Sequence, residues 1–228
     1  MIDESTVDLM RAEAVLGFER GSTLFETPTM YSDRDILYVI PNWYSGFLYN
    51  CEKGIFEHTF SSDGIKIDEQ FICESDFQKL IDSYDVAAIE TMFTPDEHIL
   101  FYHNEKHNLY VQFPLNKWKI RQSFSATASN SWAKAHKKMT VEKDLDMYRG
   151  AKSLFHSLRI LMFANQICEH GKIVNFKEAN GYWWDIYNAF LDGKKWDYFK
   201  EKYRPVYNEL RSKLAILAPK PIDNEKQK

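Results

Sequence analysis

The segment Asp33-Arg34-Asp35, running directly into Ile36-Leu37-Tyr38-Val39-Ile40 and closed by Pro41-Asn42, constrains this chain more than any other. A short apolar run bounded by turn residues reads as a buried strand, here over residues 35–41, with carboxylates at its entrance. Carboxylates at i and i+2 of a strand point to the same face of a sheet, where they can hold hard cations. Just upstream, Gly21-Ser22 can offer backbone N–H groups and a hydroxyl to phosphate oxygens. Asp-x-Asp alone equally describes a solvated strand entrance. Its weight comes from the Gly-Ser before it and from a later strand that brings a further carboxylate.

That later strand is predicted over Ile65–Ile72. Alternation puts Lys66, Asp68 and Gln70 on one face and Ile65, Ile67, Glu69 and Phe71 on the other. Asp68 is the preferred third carboxylate because it breaks the apolar pattern, and Glu69 is its rival. A site for phosphoryl transfer needs such carboxylates on rigid backbone, two from one strand and a third from a neighbour.

Around these strands the pattern is mixed. Residues 5–18 predict an amphipathic helix, or a helix passing into a short strand near 15–18. Residues 23–32, with Thr27-Pro28-Thr29, read as a loop, and 42–63 as irregular with short strands near 47–50 and 55–60. Helices follow near 74–81 and 86–93, and a last strand over 98–102. From residue 121 the pattern is helical. Ser123–Ser131 reads as the cap of a helix through 132–138, a long helix covers 141–170 and stops at Gly171, and helices follow at 176–191 and 196–216. The expected fold class is α+β: a small mixed sheet with flanking helices over residues 1–115, an all-α region over 116–218, and a disordered tail over 219–228.

Of the 29 Lys/Arg, 7 lie in residues 1–115, against 21 of the 33 Asp/Glu, so an acidic half is joined to a basic one. Carboxylates for cations and Lys/Arg for an anion suit a metal-bound phosphate; mutual attraction of the halves explains the split equally well. No apolar stretch approaches the ~20 residues needed to cross a bilayer, so no membrane partner is expected. The acidic start Met1-Ile2-Asp3-Glu4-Ser5 lacks a signal-peptide layout. Cys51, Cys73 and Cys168 are scattered and suit reduced thiols in a cytoplasmic location better than a disulfide framework or a zinc site.

The order Gly21-Ser22-Thr23-Leu24-Phe25-Glu26-Thr27-Pro28, then Ser32-Asp33-Arg34-Asp35, a strand, and Asp68 on a second strand resembles the nucleotidyltransferase superfamily that includes DNA polymerase beta and kanamycin nucleotidyltransferase. Within it the pattern is similar to a branch of bacterial and phage nucleotidyltransferases associated with RNA repair, which read Gly-Ser, then Thr-Pro-x-Ser-Asp-x-Asp. This chain has extra residues between Pro28 and Ser32. The likeness continues at Phe77-Gln78-Lys79-Leu80 and at Ala88–Pro95. It implies transfer of a nucleoside monophosphate from a nucleoside triphosphate (NTP, such as ATP), with two Mg²⁺ held by Asp33, Asp35 and Asp68 and with Gly21 and Ser22 at the triphosphate. It does not imply which acceptor; an RNA 3′ end is the family-guided expectation. A small molecule or a protein side chain stays open, as does the identity of the NTP, and the oligomeric state is unreadable.

In the basic half, Arg149, Lys152, His156 and Arg159 are spaced 3, 4 and 3, a stripe of about 80° on one helix face. Ala151, Leu154, Leu158, Leu161 and Met162 fall opposite and should be core. The branch carries a similar Lys-x3-His-x2-Arg, which assigns Lys152, His156 and Arg159 to phosphate or acceptor binding; an ordinary solvated face is the plainer reading. Arg121 with Ser129, and Lys134, Lys137 and Lys138, form a second basic, hydroxyl-rich region. Tyr182-Trp183-Trp184 reads as core of the final helices before it reads as a base-stacking platform. His98, His103 and His107 lie in turn-like sequence and do not read as a metal site. Phosphate-loop, Cys-x2-Cys and Gly-x-Ser-x-Gly signatures are absent from the sequence. The rival to an enzyme is a nucleotide sensor or one half of a toxin–antitoxin pair on the same scaffold.

Overall fold

The structure, a computed structural model, describes residues 2–29, 32–102 and 113–221. The chain divides into two compact units, Met1–Pro114 and Leu115–Lys228.

The first unit is built on a mixed sheet. Helix α1 (Glu4–Ala12), capped by Asp3 accepting from the Thr6 amide, leads to β1 (Leu16–Arg20). A single helical turn, α2 (Gly21–Leu24), separates it from β2 (Arg34–Ile40). After a 3₁₀ turn at Asn42–Tyr44 comes the short α3 (Ser45–Leu48), then β3 (Ile55–Ser62) and β4 (Ile65–Cys73). Helices α4 (Glu74–Asp82) and α5 (Val86–Met92) precede the edge strand β5 (Ile99–Tyr102). The strand order is β3-β4-β2-β1-β5, with β2 and β4 parallel and the other pairs antiparallel.

The period of two along these strands creates two cores. Ile36, Tyr38, Ile40, Phe71 and Cys73 face α1 and α3, with Val7, Met10 and Leu48 against them. Leu16, Phe18, Leu37, Val39 and Ile72 face α4 and α5, with Phe77, Ile81, Ala88 and Met92. The α+β class read from the sequence is the one observed. Around residues 47–50, however, the chain forms the helical turn α3 where a strand was expected. Phe47 and Tyr49 stay exposed while Leu48 is buried, so this aromatic stretch packs by one residue per turn.

The second unit is all helical: α6 (Lys117–Thr140), α7 (Met147–His170), α8 (Asn180–Leu191) and α9 (Trp196–Leu217). Ser123–Ser131, expected as a cap, lies inside α6, whose actual cap is Asn116 accepting from the Lys119 amide. The reason is visible in the burial: Ile120, Phe124, Ala128, Trp132, Ala135 and Met139 recur every three or four residues straight through the hydroxyl-rich stretch. Helix α7 ends at Gly171 in the left-handed conformation (φ 77°). It is buried nearly all round from Gly150 to Cys168, so it is the central helix of the unit and its two-faced reading gives way. Among the described residues, no helix is long and apolar enough to cross a membrane. His103, His107 and tail residues 222–228 lie outside the described residues.

Candidate active site

Strand register organises the site. Thr59, Asp68, Asp35 and Arg20 are cross-strand partners on β3, β4, β2 and β1, so their side chains share one sheet face. One row toward the sheet end lie Lys66 and Ser61, also partners, with Asp33 two residues before Asp35. One row inward lie Glu57, Gln70, Leu37 and Phe18, and beyond them Ile55, Ile72, Val39 and Leu16. The face thus grades from carboxylates to amide to hydrocarbon, with about 7 Å between rows.

The carboxylates are tied together. Lys66 Nζ donates to Asp68 Oδ2 (2.5 Å) and to Asp33 Oδ2 (3.2 Å), and Thr59 Oγ1 donates to Asp68 Oδ1 (2.6 Å). Burial acts to raise the Asp68 pKa, but the bonds from Lys66 and Thr59 and the Lys66 charge outweigh it and hold the carboxyl below its usual value. The same bonds, Asp68 first and Asp33 second, raise Lys66. Asp35 lies against Gly21: a Cβ there would fall 1.9 Å from Asp35 Oδ2, and Gly21 has φ +61°. Close approach and left-handed backbone both require glycine at this position. Arg20, Gly21, Asp35, Thr59, Lys66 and Asp68 line a cleft of ≈ 420 Å³. Ser22 is buried next to Gly21 and is not one of the lining residues.

Asp68 and Glu69 diverge. Glu69 is 2% exposed on the opposite face, where Arg11 donates to both its oxygens (3.0 and 2.7 Å) and His58 Nδ1 lies 3.1 Å away. Burial raises the Glu69 carboxyl, but Arg11 and His58 more than offset it, so its pKa is lowered. Burial, then Glu69, pushes the neighbouring Tyr38 hydroxyl up to about 12. Glu69 fastens α1 to the sheet; Asp68 is the carboxylate that shares a face with Asp35.

No three His, Cys, Asp or Glu side chains among the described residues are grouped ready to hold a metal ion. In donor chemistry the cleft nevertheless fits Mg²⁺, which takes carboxylate oxygens. Asp68 of the cleft, and Asp33, which is not one of the lining residues, already converge on a positive charge, the Lys66 ammonium. Sequence reasoning passed over Lys66, Thr59, Arg20 and Gln70. The alternation of β4 places Lys66 and Gln70 beside Asp68, but Thr59 and Arg20 needed the register.

The second-unit residues form a cluster of their own. Burial first, then the charges of Arg159, Lys152 and Lys134, pushes His156 well below the ordinary histidine value. The imidazole is therefore neutral beside its cationic neighbours. Arg159 is 4% exposed, its guanidinium 5.8 Å from the Phe155 ring centroid and 5.6 Å from that of Phe163. A solvated face does not describe it. Arg121 donates to the Ala218 carbonyl (3.0 Å) at the end of α9, and Ser129 Oγ meets the Tyr207 hydroxyl (3.0 Å). Those contacts are structural: a cation and donor at a helix C-terminus, and an α6–α9 tie. Trp183 is core, whereas Trp184 is exposed.

No protein-family model matches the chain. Nor does any curated protein. In fold comparison the chain is similar to the crystal structure of a nucleotidyltransferase-like protein from Exiguobacterium sibiricum, at 13% identity and a TM-score of 0.33, over 90% of this chain and 70% of that one. At that distance, residue roles rest on the geometry of this chain alone.

Proposed function

We propose that the chain is a Mg²⁺-dependent nucleotidyltransferase that moves a nucleoside monophosphate from an NTP to an acceptor hydroxyl and releases pyrophosphate. The supporting observation is the register that sets Asp35 beside Asp68 on parallel strands, with Asp33 joined to Asp68 through Lys66 and Gly21 against Asp35. In this reading Asp33, Asp35 and Asp68 would hold Mg²⁺ in exchange for the Lys66 ammonium. Bound there, the cation would neutralise phosphate charge and lower the pKa of the attacking hydroxyl. The chain's own part is positional. Gly21 keeps the backbone close to Asp35, with Ser22 beside it at the phosphate end. Thr59 fixes one Asp68 oxygen, and the parallel pair β2 and β4 keeps Asp35 and Asp68 in register. Lys152 and Arg159 would supply cations for phosphate, and His156, being neutral, would supply a hydrogen bond rather than a charge.

Lys66 favours a second reading. An ammonium that already neutralises two carboxylates also suits a nucleotide-binding module without turnover. Incubating the protein with Mg²⁺ and α-labelled NTPs, and following label transfer and pyrophosphate, separates the two. The double variant Asp33→Asn with Asp35→Asn is expected to retain its circular dichroism and lose transfer by at least about 10³-fold. Unchanged turnover in that variant would contradict the proposal.

A further inference from the structure

Behind the carboxylate cleft lies a second one of ≈ 530 Å³, within the first unit and lined by the same Arg20, Glu57 and Gln70. Its floor is the hydrocarbon end of the sheet face, Leu37 and Ile72, with Phe77 and Ala88 of α4 and α5; Ile55 and Leu80 form opposite half-buried walls. At the far rim Lys53 Nζ pairs with Asp85 Oδ2 (2.9 Å). Between the clefts runs a hydrogen-bonded bridge across the sheet: Arg20 donates to Gln70 Oε1 (2.6 Å), and Gln70 Nε2 donates to Glu57 Oε1 (2.9 Å). Two clefts that share such a partition form one trough, anionic at one end and apolar at the other.

Resting on the nucleotidyl-transfer reading, we infer that this apolar cleft is the acceptor subsite, and that the acceptor is a small molecule with an apolar body, a hydroxyl and no negative charge. The direction follows from the row order. Gln70 and Glu57 stand one row inward from Asp68 and Thr59, and Ile72 and Ile55 one row beyond them. A molecule whose body rests on Ile72 and Ile55 brings its hydroxyl past Gln70 and Glu57 to Asp68, away from Gly21, which follows β1. Attacking and leaving oxygens lie roughly in line in phosphoryl transfer, so pyrophosphate departs toward Gly21. The acceptor oxygen bonds to the α-phosphorus, and the bond from that phosphorus to the oxygen bridging to the β-phosphorus breaks. Pyrophosphate departs with the electron pair, and the hydroxyl proton leaves through the Asp68 carboxylate to solvent.

The class of acceptor follows from size and charge. A cleft of ≈ 530 Å³ is of small-molecule dimensions. Its ionisable lining is Glu52, Glu57 and Asp85 against Arg20 and Lys53, in a unit where acidic residues outnumber basic ones threefold. Polynucleotide binding draws on phosphate contacts with Lys and Arg, and this wall offers the opposite sign. Glu57 and the Gln70 carbonyl suit a hydroxyl or ammonium head, and the floor suits hydrocarbon.

Phenylalaninol, which carries an aryl body, an ammonium and a hydroxyl, is a suitable probe. Full-length protein with Mg²⁺ and each NTP is given phenylalaninol or a short RNA with a free 3′ hydroxyl, and pyrophosphate is followed; ligand-observed NMR reports phenylalaninol binding, and NTP binding is measured on the wild type. Phenylalaninol is expected to bind and to raise pyrophosphate release at least tenfold over RNA. Ile55→Trp and Leu80→Trp, from opposite walls and checked by circular dichroism, should each weaken its binding at least tenfold. In the wild type its ring should show contacts to the Leu37 and Ile72 methyls, which keeps the test decisive if neither variant folds. Release with RNA alone, or phenylalaninol binding absent or without those methyl contacts, would overturn the inference while NTP binding leaves the parent reading standing. Loss of NTP binding itself would overturn both.

Discussion

At the scale of single residues, Lys66 changes what the carboxylates mean. An ammonium 2.5 Å from Asp68 and 3.2 Å from Asp33 is a resident counter-ion, and any divalent cation entering there must displace it. Replacing Lys66 by Met keeps the stem length and removes the charge. The variant is expected to bind Mn²⁺ about tenfold more tightly by calorimetric titration, equivalent to about 1.4 kcal/mol at this exposed site. Unchanged affinity would mean that Lys66 does not compete for the site. The places of Asp35 and Asp68 on strands and of Gly21 in a turn were legible in the sequence because strand alternation and a turn glycine are local properties, whereas Asp33 precedes β2. Lys66 was legible only as a residue on the right face. That its ammonium spans Asp33 and Asp68 depends on β2 and β4 being parallel neighbours, which no local pattern encodes. The choice between Asp68 and Glu69 depended in the same way on Arg11, 58 positions away in the chain.

At the scale of elements, α7 shows where helical periodicity falls short. A stripe of basic residues opposite an apolar stripe predicts a surface helix. Here Leu154, Leu158 and Leu161 are buried as expected, but so are Ser153, Ser157 and Arg159, because α6, α8 and α9 all pack on α7. Desolvation among these neighbours, with the charges of Arg159, Lys152 and Lys134, lowers the pKa of the half-buried His156. With its folded pKa lowered, the unfolded chain binds the proton more readily, so stability is lost as pH falls through the ordinary value of 6.5. Melting curves between pH 8 and pH 5 should show a fall in unfolding free energy, which His156→Gln should reduce by up to about 1.4 kcal/mol per pH unit. An equal pH slope in that variant would refute a lowered imidazole pKa. Strands β1, β2 and β4 and helices α4, α5, α8 and α9 lie close to where the sequence put them. The failures came where side-chain type misleads: aromatic residues at 47–50 suggested a strand, and hydroxyls at 123–131 suggested a cap.

At the scale of the whole molecule, acidic residues concentrate in the first half and basic ones in the second, and each compact unit carries its own chemistry: a carboxylate face on a mixed sheet, and a cluster of Lys152, His156 and Arg159 on a central helix. The charge split and the change from mixed to helical pattern were legible because both are averages over many residues. The gradient along the sheet face was not, since it is written across four strands separated by loops of very different length. That gradient joins a cation site to an apolar cleft, and it makes the central claim measurable. Titrating Mn²⁺ with an NTP into the protein, with electron paramagnetic resonance counting bound ions, tests it most directly. The wild type should bind Mn²⁺ together with NTP, and Asp35→Asn with Asp68→Asn should lose that binding at least tenfold at unchanged circular dichroism. Equal binding by the two proteins, or none by the wild type, would contradict a metal-nucleotide site on this face.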